Sequence, residues 1–148
     1  MKKRYFGVLA AVVLLYAALG VSAQRNAQSD SADKKARFET VAKTDKLYTD
    51  SIDAHDLAKA KAMEGKQGSF RGTVAKVFVP NTGSVLILNF DNDYKTAVTA
   101  ALRKNDFSSF PDMSQLVGQE IVVSGKFQDY RGATEILLTD KKQISIVQ

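Results

Sequence analysis

Cysteine and tryptophan are absent from the 148 residues, histidine occurs once and proline twice. Without cysteine there is no disulfide, no thiolate metal site, no thiol nucleophile and no lipid-bearing cysteine. A lone histidine, His55, excludes a multi-histidine metal site and a relay between histidines. An excess of one charge is also small: 21 Lys and Arg stand against 16 Asp and Glu, and Lys2, Lys3 and Arg4 crowd the N-terminal end. Without those three the balance is +2, so net charge says little about function. What remains is an ordinary globular composition, 45% apolar and 25% charged, with room for one domain.

The three leading cations precede an apolar run from Tyr5 to Val21, and Val21-Ser22-Ala23 places small residues where a signal peptidase cuts. Cleavage after Ala23 is expected, with export to the periplasm or the exterior and no stable membrane insertion afterwards. The alternative is an uncleaved leader that tethers the chain to the membrane. An exported chain without disulfides must hold its core by packing alone, which this length permits. Residues 1–23 are thus expected to be a signal peptide, 24–50 a polar tether and helix, and 51–148 the folded domain. Gln24 to Lys35 has no large apolar residue to offset the entropy of ordering it.

From Ala36 to about Tyr48, helically spaced Phe38, Val41 and Tyr48, with acid-before-base pairs at i, i+4, predict a helix. Thr49-Asp50-Ser51 supplies capping chemistry for a second helix over Ile52 to Glu64, followed by Gly65 as its C-terminal stop. The pattern then turns to β. Five strands are expected: Ser69 to Val79, Ser84 to Phe90, Tyr94 to Ala101, Ile121 to Tyr130 and Glu135 to Val147. The first two make a hairpin across Pro80-Asn81-Thr82-Gly83, and Leu102 to Gly118 is an apolar insert with a helical turn that plugs the core. Strands in this order close most simply into an all-β fold, a five-stranded Greek-key barrel of the OB type preceded by an N-terminal helical segment. Gly72 suits the bend of a long first strand. A three-layer α/β sheet is the alternative, disfavoured because a single helical insert separates the strands.

Beyond the pattern, an ordered set of motifs carries a resemblance. Gly65-Lys66, Phe70-Arg71-Gly72-Thr73-Val74 and Val77 come first, then Leu88-Asn89-Phe90, then Phe110-Pro111 with Leu116-Val117-Gly118-Gln119 and Val123-Ser124-Gly125-Lys126. Tyr130-Arg131-Gly132, Glu135-Ile136, Asp140 and Gln143-Ile144 complete it. From about Ile52 to Val147 the chain resembles the bacterial OB-fold nucleic-acid-binding family, in particular the small OB modules attached to secreted endonucleases. The resemblance implies binding of a single strand across the barrel face of strands two and three, with no hydrolytic activity of the module itself.

Such a face stacks bases on aromatic rings and pairs phosphates with Lys or Arg, so aromatics beside cations are the candidates. Lys76 and Phe78 alternate on the first strand, where Phe78 is either a platform or core. Tyr94-Lys95 opens the third strand, and Tyr130-Arg131 sits in the turn between the fourth and fifth, as a binding pair or as a tight turn packed on the rim. Asn89 either meets a base or caps the following turn. Arg71, Arg103, Lys104 and Lys126 line a phosphate path or are solvated surface charges. His55 reads as helix surface. Asp91-Asn92-Asp93 reads as a turn, because the Gly and the distant Glu of a calcium loop are missing.

These residues call for no cofactor, no metal and no catalytic role. The expected function is an exported, non-enzymatic module for single-stranded DNA or RNA. An exported barrel that binds a protein, a glycan or a small ligand is the alternative, since a fold does not fix its ligand. A nuclease of the thermonuclease type ranks last: its paired acids are not found, and Asp91, Asp93, Asp129 and Asp140 are scattered through turns.

Overall fold

The computed structural model describes residues Arg37–Gln148. The expected leader and the tether at 24–35 lie outside the described residues. In chain order the elements are β1 (Glu39–Val41), α1 (Lys46–Thr49), β2 (Ile52–Asp53), α2 (Leu57–Ala62), β3 (Gln67–Thr73), β4 (Lys76–Phe78), β5 (Val85–Asn89) and β6 (Thr99–Arg103). Two 3₁₀ turns follow, Lys104–Ser109 and Met113–Leu116, and then β7 (Glu120–Tyr130), β8 (Ala133–Leu138), a 3₁₀ turn at Lys141–Gln143, and β9 (Ile144–Val147).

Alternation decides which way each strand faces. Phe70 of β3, Leu88 of β5, Ala100 and Leu102 of β6, Ile121, Val123 and Phe127 of β7, Ile136 and Leu138 of β8 and Ile144 of β9 all enter one buried cluster. Their sequence neighbours point to the opposite face. The result is a curled, barrel-like all-β sheet whose interior is apolar. At its centre Phe70 meets Phe90 edge-on, with ring centroids 5.0 Å apart, and Phe127 at 6.3 Å. The insert between β6 and β7 adds Phe110, Met113 and Leu116 to the same cluster, as its apolar content predicts.

β3 pairs antiparallel with β7, which also pairs with β8 and β9; β8 runs parallel to β6, β6 antiparallel to β5, and β5 antiparallel to β4. The expected first strand is therefore two strands that change partner at Val74 and Ala75. Val74 N–H donates to Gln119 O at 3.0 Å on the β7 side, and Ala75 N–H donates to Asn89 O at 2.8 Å on the β5 side. Gly72 lies just before this switch, where a Cβ would sit 3.0 Å from both Ala54 Cβ and Phe90 Cδ1. Its missing side chain is needed for close approach to those two residues.

Three expectations are corrected. The helix predicted over Ala36 to Tyr48 is not formed: Glu39–Val41 is a strand parallel to β9, and only Lys46–Thr49 is helical. The free edge of β9 offers backbone hydrogen bonds to an extended segment, and Phe38 and Val41 are buried from that conformation. The helix over Ile52 to Glu64 shrinks to Leu57–Ala62, because Ile52 and Asp53 pair with Phe70 and Arg71 of β3. Asp56 caps it by accepting from Lys59 N–H at 3.2 Å, and Gly65 follows in the left-handed region at φ 85°. The third strand starts at Thr99 rather than Tyr94, since Asp91 and Asp93 bend the chain into turns first.

Candidate functional site

The expected site residues fall into five places. Arg71 is tied down on the outer face of β3. Its guanidinium donates to the Ser51 carbonyl and to Ser51 Oγ, and stacks 5.0 Å over the ring of Tyr48. Tyr48 OH donates to Glu120 Oε1 at 2.9 Å, and Lys43 Nζ lies 2.9 Å from Glu120 Oε2. This cluster straps the segment before Ser51 onto the sheet, so Arg71 has a structural occupation away from the other candidates. Lys43, by its hydrogen bond, and Tyr48 hold the Glu120 carboxyl below its ordinary value of 4.5.

A carboxyl depressed in the folded state contributes stability that is present above its unfolded value and is lost as pH falls through the folded one. Denaturant midpoints at pH 7 and near pH 3.5 are expected to fall less between the two for Glu120→Gln than for the natural chain. An equal or larger fall in the variant removes Glu120 as a contributor.

Lys76 and Phe78 share the outward face of β4, with Lys76 Nζ 5.3 Å above the ring. Phe78 is 41% exposed, so the core alternative for it is set aside; Val77 between them packs on the core. Asn89 stands opposite Lys76 in register. It does not cap the following turn: its side chain is 8% exposed and its Oδ1 has no hydrogen-bond partner. Lys126, exposed on β7, lines a separate open cleft of about 600 Å³ with Gln67, Asp140 and Lys142. Arg103 and Lys104 end β6 and open the first 3₁₀ turn, both exposed.

The fifth place gathers what the others do not. A cleft of about 440 Å³ is lined by Leu57 and Lys61 of α2, by Tyr94, Lys95 and Ala97 before β6, and by Arg131 to Thr134 at the β7–β8 turn. Three cations and a tyrosine from three separate elements therefore meet. Tyr94 and Tyr130 are 56% and 51% exposed, and each carries its neighbour's cation over the ring, Lys95 at 5.8 Å and Arg131 at 5.3 Å. One face of each ring is thus electrostatically engaged.

Local chemistry sets this geometry. Tyr130 pairs with Ala133, leaving Arg131 and Gly132 as a two-residue turn with φ of 54° and 86°, and Asp129 Oδ1 accepts from Gly132 N–H at 2.8 Å. Both central residues need positive φ, which Asn-Gly supplies most readily. Arg131 is the only non-glycine there among the described residues. An arginine held in the left-handed region costs about 1–2 kcal/mol.

On the other wall, Lys95 N–H donates to Asp93 Oδ1 at 3.0 Å and Thr96 Oγ1 to Asp93 O at 2.8 Å, fixing the bend that presents Tyr94. His55, expected as helix surface, sits in the turn before α2 with Nδ1 3.2 Å from Asp53 Oδ1 and Nε2 3.1 Å from Asp91 Oδ2. It ties the end of β2 to the turn that leads to Tyr94. The Asp91 carboxyl is held below its ordinary range, first by the Asp93 backbone N–H.

Lys61 and Leu57 were missed from the sequence, where Lys61 reads as the cation expected near a helix C-terminus. Among the described residues no three His, Asp or Glu side chains are placed to hold a metal ion, and no helix is long and apolar enough to cross a membrane. Comparison with protein-family models, with curated proteins and with solved structures finds no match.

Proposed function

We propose that the protein is an exported, non-enzymatic OB-type module that binds single-stranded nucleic acid at the cleft of Lys61, Tyr94, Lys95 and Arg131 and along the adjoining outer sheet face. The observation that carries this reading is the meeting of three cations, Lys61, Lys95 and Arg131, with the half-exposed Tyr94 in one cleft, beside which Arg131 stacks over the half-exposed Tyr130. A single strand is held by that combination, bases stacking on rings and phosphates on Lys and Arg.

The barrel type is part of the proposal. Taking β3 and β4 as two halves of one strand, the neighbour order of the five long runs is first, second, third, fifth, fourth and back to first, with the third and fifth parallel. That circuit supports a closed five-stranded Greek key. Export is proposed from the leader pattern at 1–23.

The test is fluorescence anisotropy of a labelled single-stranded oligonucleotide. Four phosphate contacts, from Lys61, Lys76, Lys95 and Arg131, give a log–log salt slope of about −3, so affinity falls roughly 50-fold between 50 and 200 mM salt. Arg131→Asn is the sharpest variant, because its two effects have opposite signs. Asn relieves the left-handed strain and should raise stability by about 0.5–1 kcal/mol, while binding weakens roughly five-fold. Tyr130→Ala should weaken binding by a similar or larger factor. Binding that ignores both salt and these variants overturns the reading, and absence of binding at low salt turns attention to proteins, glycans or small ligands.

A further inference from the structure

On the outer face of the sheet, one cross-strand row is polar from end to end. Lys76 of β4 stands opposite Asn89 of β5, and continuing the register of β5 with β6 puts Asn89 beside Thr99. Thr99 in turn stands opposite Glu135 of β8, and Glu135 opposite Gln128 of β7. The three central residues are buried, Asn89 and Thr99 at 8% exposure and Glu135 at 7%.

Burial of such groups is costly unless their hydrogen bonds are made. Here they are not. Asn89 Oδ1 has no partner, and the one side-chain bond to Glu135 is from Gln128 Nε2 to Oε1 at 2.8 Å. A carboxylate can accept about four hydrogen bonds, so Glu135 keeps unused acceptor capacity, and Gln128 fixes its orientation. The centre of the row is an orphaned amide oxygen and an under-used carboxylate on one surface.

A carboxylate on a nucleic-acid face repels phosphate, so its favourable contact is with a donor edge of a base. Thymine and uracil offer a single N–H between two carbonyl oxygens, which face a carboxylate unfavourably. Cytosine and adenine offer one amino group beside an acceptor nitrogen. Guanine alone presents two adjacent donors, N1–H and the 2-amino group, to which a carboxylate accepts two parallel hydrogen bonds.

We propose that the buried row Asn89, Thr99 and Glu135 is a guanine-selecting subsite, with Glu135 accepting from N1–H and the 2-amino group and Gln128 acting as its positioning residue. Asn89 offers its unpaired Oδ1 to a further base donor. The inference rests on the nucleic-acid reading above and adds to it a base preference that stacking and phosphate contacts do not supply.

The experiment measures affinity of the full chain for three labelled strands of equal length: all thymine, thymine with guanine at spaced positions, and the same strand with inosine replacing guanine. Inosine keeps N1–H and loses the 2-amino group. The guanine strand is expected to bind roughly ten-fold more tightly than the thymine strand, with the inosine strand between them. Glu135→Gln is expected to bring the guanine and thymine strands within about two-fold of each other. Asn89→Leu, which replaces an unpaired buried amide by an apolar group, is expected to keep the melting temperature and to reduce the preference.

Equal binding of all three strands overturns the subsite and leaves the nucleic-acid reading standing. So does a preference for thymine, or a guanine preference that survives in folded Glu135→Gln. No binding of any strand at low salt overturns both.

Discussion

Phe70→Ala is expected to cost about 3–5 kcal/mol. Phe70 is fully buried at the middle of β3, its ring edge-on to Phe90 and tilted against Phe127, so it joins the β3, β5 and β7 sides of the interior at one point. Removing the ring forfeits its transfer energy, leaves a cavity and ends two aromatic contacts. The walls cannot collapse into the space easily. β3 is hydrogen-bonded along its length to β7, and β2 is paired to it on the other side. Urea unfolding should give a lower midpoint with unchanged slope, and the melting temperature should fall by roughly 10–20 °C. A loss under about 1 kcal/mol would show that the space is refilled, and that the three aromatics are not the centre of the core.

That core was largely legible in the sequence because alternation and turn chemistry agree there. The hairpin across Pro80 to Gly83, the apolar insert with Phe110, Met113 and Leu116, and the long strand ending at Tyr130 all follow from local patterns that the tertiary structure reinforces. The segment before Ser51 was not legible. Phe38 and Val41 fit a helical spacing and the flanking charges fit i, i+4 pairs, yet an open edge on β9 rewards an extended conformation more than those weak pairs reward a helix. Nothing within the segment announces that edge.

The same division runs through the candidate site. Tyr94-Lys95 and Tyr130-Arg131 could be picked out because adjacent aromatics and cations are visible in the sequence, and both line or border one cleft. Arg71 looked equivalent by composition, but it is spent on Ser51 and Tyr48, contacts twenty or more residues away. Lys61 joins the cleft only because α2 packs beside the β7–β8 turn, which is a tertiary fact. Glu135 is a further case: it stands between Thr134 and Ile136 in β8, and Ile136, not Glu135, enters the interior cluster. What the pattern does not show is that Glu135 is only 7% exposed on that face.

Gly125→Ala carries the second large expected effect, a loss of about 2–4 kcal/mol from one added methyl group. A Cβ at Gly125 would lie 2.6 Å from Ile136 Cγ2 and 2.8 Å from Gln143 Nε2. Neither neighbour can yield cheaply. Ile136 is fully buried in the cluster shared by all the long strands. Gln143 holds the chain reversal between β8 and β9: Nε2 donates to Ser124 O at 3.0 Å and Leu137 O at 3.2 Å, while Oε1 accepts from Thr139 N–H at 2.7 Å and Asp140 N–H at 2.9 Å. Pushing Gln143 aside strands several backbone groups at once, and pushing Ile136 strains the core. Gly125 also faces Gly68 across the β3–β7 pair, and a Cβ there would meet Met63 Cε at 2.9 Å and Phe127 Cε2 at 3.0 Å, so the strand cannot slide toward β3 for relief. A double-mutant cycle separates the two costs. Ile136→Ala removes the atom that the added methyl group would strike, so the double variant should be more stable than additivity predicts by about 0.5–1 kcal/mol or more. Additive losses, with Gly125→Ala alone costing under about 1 kcal/mol, would mean that the methyl group escapes both neighbours, and the close packing at this bend would then have no energetic role.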